Sequence, residues 1–264
     1  MAVPIPRRPE ITGPVIRAAA TMRAALGLLT RLPVHPTDAR VSGAAAFPLA
    51  GTLVGLAGVV PLIPLATNEP LLGSLLAIAA MTVLTGALHL DGLADTADAL
   101  IAPDPTQAER ARKDPAVGPG GVVTLILVLG IEVAALVSLA SSTGTAVAGA
   151  TLVIAAAVGR TLPVVGVVLA RPRIERPGFG GWFSARVRPA DGVVAVGLAM
   201  VLTVGLAVIV GSFIVALAGL IGAGAGLAIA GLIVHVRRQL DGDGLGAIVE
   251  LTVAATLVAA ALVA

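Results

Sequence analysis

Seven stretches of this sequence, at about 43–66, 71–90, 120–140, 145–170, 192–211, 213–234 and 246–264, are continuously apolar and nearly free of charge. A helix of some twenty residues crosses the roughly 30 Å of bilayer hydrocarbon, and only helices and closed barrels can satisfy their backbone amides there. The recurrence of such runs constrains the fold more than any other feature. It predicts an all-α, polytopic integral membrane helical bundle of about seven transmembrane helices, six to eight being the range. Charged residues make up 12% of the chain, where a soluble domain carries about a quarter. A β-barrel is excluded because the runs do not alternate and the aromatic girdles of a barrel are missing. Abundant glycine and alanine suit close helix packing. The absence of cysteine removes disulfides, thiolate metal sites and cysteine nucleophiles.

The connections between runs alternate in charge. Residues 1–42 hold six arginines, residues 91–119 hold Arg110, Arg112 and Lys113, residues 171–191 hold five arginines, and 235–244 holds Arg237 and Arg238. The intervening turns hold none. Sixteen of seventeen basic residues therefore fall on one side, Arg160 being the exception. Excess Lys/Arg marks the cytoplasmic side, so the reading is N-terminus in, C-terminus out, in the plasma membrane with a cytoplasmic active face. The chain is expected to be one membrane-embedded domain, 1–264, with 1–42 a cytoplasmic segment in which 14–34 suits an interfacial amphipathic helix. Its scattered arginines do not read as a signal peptide, and a net charge of +2 gives no nucleic-acid signature.

Chemistry-bearing residues crowd the basic side. In HLDGLADTADAL, 89–100, Asp91, Asp95 and Asp98 stand at i, i+4 and i+7, one face of a helix. Such carboxylates repel one another unless a cation neutralises them. A hard divalent ion fits best: Mg²⁺ takes carboxylate oxygens, keeps waters and completes its shell with substrate phosphate. His89 either orients an aspartate or marks the interface. A solvated helix end would carry the same residues. Arg110, Arg112 and Lys113 precede a Gly/Pro turn, 115–121, whose amides at a helix start suit a phosphate. Asp241 and Asp243 sit among glycines before the last run, with Glu250 inside it, where an acid is costly and faces a polar interior. Arg160, inside a run and followed by Pro163, is read as sitting at a helix break that aims it into a cavity, with Glu132, Glu250 or a phosphate as partner. In 171–189, Trp182 and Phe183 are read as resting in the membrane interface while the arginines meet phosphate or anionic lipid. Together these clusters suggest Mg²⁺-dependent phosphoryl or phosphodiester transfer with a lipophilic or membrane-associated substrate.

From about residue 28 onward the chain resembles the cobalamin synthase family, the adenosylcobinamide-GDP ribazoletransferases. The resemblance rests on LLTRLPV followed by AAFPLAGTLVGL, ALHLDGLADTADAL, RKDPAVGPGGVVTL, Gly159–Arg160 and GDGLGAIVELT. It departs where Arg238, Gln239 and Asp241 replace two glycines and a threonine, and where Ala116 and Gly120 replace an arginine and an aromatic. The resemblance implies the last assembly step of cobalamin biosynthesis. Adenosylcobinamide-GDP and α-ribazole, or its 5′-phosphate, would give adenosylcobalamin, or its phosphate, and GMP, with Mg²⁺ as cofactor. It implies Asp91, Asp95 and Asp98 as metal ligands, His89 and Asp243 as further catalytic residues, and Arg110, Arg112, Lys113, Arg160 and Glu250 as substrate or phosphate contacts. It leaves open a homo-oligomer or association with other cobalamin-assembly enzymes, besides contact with membrane lipid. The alternatives are a CDP-alcohol phosphotransferase-like lipid enzyme, whose aspartate spacing and arginine are missing here, and a secondary transporter, whose internal repeat is missing.

Overall fold

The computed structural model describes residues 13–102, 104, 106–107, 116–170, 178–237 and 240–264. Among them are ten α-helices and no strand: α1 (Pro14–Leu29), α2 (Phe47–Leu65), α3 (Pro70–Thr85), α4 (Leu88–Ile101), α5 (Pro119–Thr143), α6 (Thr145–Ala170), α7 (Phe179–Ser184), α8 (Pro189–Ile209), α9 (Phe213–Arg237) and α10 (Gly242–Val263). A 3-10 turn, Ala44–Ala46, leads into α2. Proline in the first turn opens α1, α2, α3, α5 and α8, where its fixed φ and missing N–H cost nothing.

Six helices are long and apolar enough to cross a membrane: Ala44–Leu65, α5, α6, α8, α9 and α10. Large apolar side chains such as Val193, Val201 and Leu220 point outward from them, exposed. The protein is a multi-pass membrane bundle, as its apolar runs predict. One run departs from expectation. The helix begun at Pro70 stops at Thr85, and α4 leaves it at 93°. Gly86 and Ala87, both left-handed at φ 63° and 58°, make the corner. Arg31 from the segment after α1 lies over Gly86, and its amide donates to the Leu84 carbonyl at 2.8 Å. The stretch 71–90 is therefore not one straight helix but part of a bent pair, with which the helices able to cross a membrane number six or seven among the described residues. A second departure concerns Pro163: α6 runs through it from Thr145 to Ala170 without the break expected there.

The most deeply buried helix is α6, and its neighbours approach it through small residues. Gly51 and Gly55 of α2 lie on the backbone at Ala156 and Val153, and Gly159 meets α10 at Val249. On α9, Gly222 and Gly226 receive Thr256 and Thr252 of α10. Four buried hydroxyls of α6 and α10 are satisfied one turn back within their own helix: Thr151 on Val147, Thr161 on Ala157, Thr252 on Ile248 and Thr256 on Thr252.

A side chain at Gly51 would run into the Ala156 carbonyl. Gly51→Val is expected to lower stability by about 1–3 kcal/mol, read as a drop in the thermal midpoint of the purified protein in detergent. An unshifted midpoint would contradict the close approach of α2 to α6.

Candidate active site

Backbone contact builds the site. A Cβ on Gly92 would lie 2.8 Å from the Asp243 carbonyl oxygen and 3.2 Å from the Gly246 Cα, and one on Gly246 would lie 3.0 Å from the His89 carbonyl. Only glycine at these crossing points lets α4 lie this tightly across the start of α10. Residues flanking the crossing are thereby driven together. His89, Asp91, Arg160 and Asp243, from α4, α6 and α10, line one cavity of about 220 Å³.

The acid stripe divides along α4. Asp91 is exposed at the cavity, Asp95 is half-buried, and Asp98 is 8% exposed. The Asp98 carboxylate accepts the Gly118 amide at 2.7 Å and the Gly121 amide at 2.9 Å, so it caps the start of α5. Two of the turn amides read from sequence as available to a phosphate therefore belong to Asp98. Among the described residues, no group of three or more His, Asp or Glu side chains stands close enough to hold a metal ion unaided.

The acidic glycine turn divides similarly. Asp241 accepts the Gly244 amide at 3.0 Å as the N-cap of α10 and pairs with Arg237 at 2.7 Å, whereas Asp243 faces the cavity. Behind the cavity lies a buried polar group. His89 Nδ1 stands 3.7 Å from a Glu250 oxygen, beyond hydrogen-bond reach. Arg160 and Glu132 are each 2% exposed. The Arg160 guanidinium donates to the Ala156 carbonyl at 3.2 Å and feels the charges of Glu132 and Glu250, while its Nε has no partner among the described residues. Arg110, Arg112 and Lys113 lie outside the described residues.

The cavity wall includes aromatic residues that the sequence did not place at the site. Phe47, Phe179 and Phe183 line it, with ring centroids 5.3 Å apart for Phe47 and Phe183 and 5.7 Å for Phe179 and Phe183. Trp182 stacks on Phe179 at 5.8 Å. Four of the five aromatic residues in the chain thus gather here. Phe183 is buried at 1% exposure instead of resting in the membrane interface. Aromatic scarcity was the available signal, because a chain that places so few rings freely has reason to cluster them.

The profile of a family described as cobalamin-5-phosphate synthase matches residues 21–261. A Brucella anthropi protein named adenosylcobinamide-GDP ribazoletransferase is 36% identical over 156 residues, 56% of this chain and 57% of that protein. Proteins of the same name from Brucella canis and Brucella suis are 39% identical over 128 residues, 45% of this chain and 49% of theirs. The chain thus spans about half the length of the curated relatives it matches. No solved structure matches it.

Removing the two charge-assisted bonds that cap α5, by Asp98→Ala, is expected to cost about 1–3 kcal/mol. Asp91→Ala, at an exposed carboxylate, is expected to stay within about 0.5 kcal/mol. Thermal unfolding of both variants in one detergent checks the contrast, and equal midpoints would contradict the division of roles along α4.

Proposed function

The chain belongs to the cobalamin-5-phosphate synthase family, and from that premise we propose that it transfers the adenosylcobinamide phosphate group from adenosylcobinamide-GDP to α-ribazole or its 5′-phosphate, releasing GMP. The observation that carries this reading is the cavity where His89, Asp91, Arg160 and Asp243 meet. It combines carboxylates, a cation and a titratable imidazole in one place, a set suited to transfer at a phosphate. A ribose hydroxyl oxygen that both acceptors carry free forms a bond to the phosphorus that carries cobinamide, and the bond from that phosphorus to the GMP oxygen breaks. His89 takes the hydroxyl proton, a role matched to an imidazole at the cavity wall. Arg160, held by a backbone carbonyl and with its Nε–H unpartnered among the described residues, stabilises the charge gathering on the phosphate oxygens. Phe179, the exposed ring of the stack at the cavity wall, offers apolar surface to a planar base.

Magnesium fits these residues. An ion that keeps waters and shares substrate phosphates needs only one or two protein carboxylates, and Asp91 and Asp243 line the same cavity. We assign them as its ligands, with Asp95, one turn along α4, beside them. Asp98, the remaining member of the stripe, serves from behind by fixing α5. When bound, the ion neutralises the pyrophosphate and eases departure of GMP. The arginine-rich end is placed on the cytoplasmic side of the plasma membrane, where a nucleotide-activated substrate is available.

Purified protein in detergent is expected to release GMP only when both substrates and magnesium are present. Asp91→Asn and Asp243→Asn are each expected to cut that rate by about 100-fold or more, with thermal midpoints unchanged. Solute flux in sealed vesicles without GMP release, or near-normal turnover in both variants, would overturn the reading.

A further inference from the structure

A second cavity, of about 500 Å³, opens at the same end of the bundle between α1, the 38–45 segment and the loop before α8. Its wall carries four arginines, Arg17, Arg40, Arg186 and Arg188, against two aspartates, Asp38 and Asp191. Both acids have work inside the protein. Asp38 grips the Arg40 guanidinium through both oxygens, at 2.9–3.2 Å, and Asp191 accepts the Arg188 amide at 2.8 Å to cap α8. Arg186 is held in place by neutral groups. It donates to the Ala39 carbonyl at 3.2 Å and the Trp182 carbonyl at 3.1 Å, and lies over the Trp182 indole at 4.8 Å. Carbonyls and a ring orient a guanidinium without cancelling its charge. No carboxylate among the described residues pairs with Arg186. Among the described residues the lining is therefore net positive, with Arg186 fixed in advance by neutral groups, and guanidinium forks match phosphate oxygens.

From this geometry we propose that the Arg17–Arg40–Arg186–Arg188 cavity binds a phosphate group at the membrane surface, apart from the transferase cavity and independently of the activity assigned to it. Val15 and Ile16, exposed at 79% and 57% beside Arg17, would reach into lipid and bring a phospholipid headgroup to the same place. A soluble phosphate ester offers the same chemistry from the water side.

Trp182, the sole tryptophan, reports on the cavity through its contact with Arg186. The full chain in neutral detergent is titrated with phosphatidylglycerol in one arm and inorganic phosphate in another, with phosphatidylcholine as control, while tryptophan emission is followed. A saturable change with phosphatidylglycerol alone assigns the site to lipid. A change with inorganic phosphate as well assigns it to the phosphate group from either source, and a change with phosphate alone assigns it to a soluble ligand. Arg17→Gln and Arg188→Gln leave the Arg186–Trp182 contact intact, and each is expected to weaken the response about tenfold. No saturable change in either charged arm, an equal response to phosphatidylcholine, or undiminished affinity in both variants would overturn the proposal.

Discussion

The contact on which the candidate site depends is the crossing of α4 over the start of α10, glycine against glycine. With Gly92 beside the Asp243 backbone and Gly246 beside His89, the two helices approach at backbone distance. Separating them by even one methyl group would pull Asp91 away from Asp243 and His89 away from Glu250. The rest of the bundle supports this contact. The corner at Gly86–Ala87 directs α4 across α10, and Asp98 ties the far end of α4 to the opening of α5. The stacked Phe47, Phe179 and Phe183 form another part of the same cavity's wall.

A bundle immersed in lipid has few ways to carry polar atoms, and this one separates two of them. Threonines that pack α6, α9 and α10 fold their hydroxyls back onto their own helix and leave nothing to be satisfied. The charged residues behave differently. Glu132, Arg160 and His89 are buried, and each keeps an atom without a hydrogen-bond partner among the described residues. Polar atoms left open at such depth cost free energy unless something else engages them. Of the three, His89 and Arg160 line the cavity, which connects them with ligand binding more than with helix pairing.

How much of this was legible in the sequence depends on the range of the interaction concerned. Spans follow from composition summed over twenty residues, so all six long helices were readable, and so was the arginine-rich end. The corner after Thr85 was not, because 71–90 is uniformly apolar and a left-handed Gly–Ala pair leaves no mark on hydropathy. Helical spacing correctly put Asp91, Asp95 and Asp98 on one stripe. It had no means of showing that Gly118 and Gly121 would come round to meet the last of them. Asp241 and Asp243 look equivalent in GDG-rich text, yet one caps a helix and the other faces the cavity, a difference of orientation within a single turn. Pro163 points the other way: proline argued for a break, and dense packing around α6 keeps the helix continuous.

One further consequence comes from the short arm of the corner. At 16 residues, α3 rises about 24 Å, less than the roughly 30 Å of a typical hydrocarbon core. Hydrophobic mismatch of this kind draws the headgroups inward around the short element. Alone, α3 does not reach across a bilayer of ordinary thickness, so the 93° corner and the start of α4 fall within the depth that the longer helices cover.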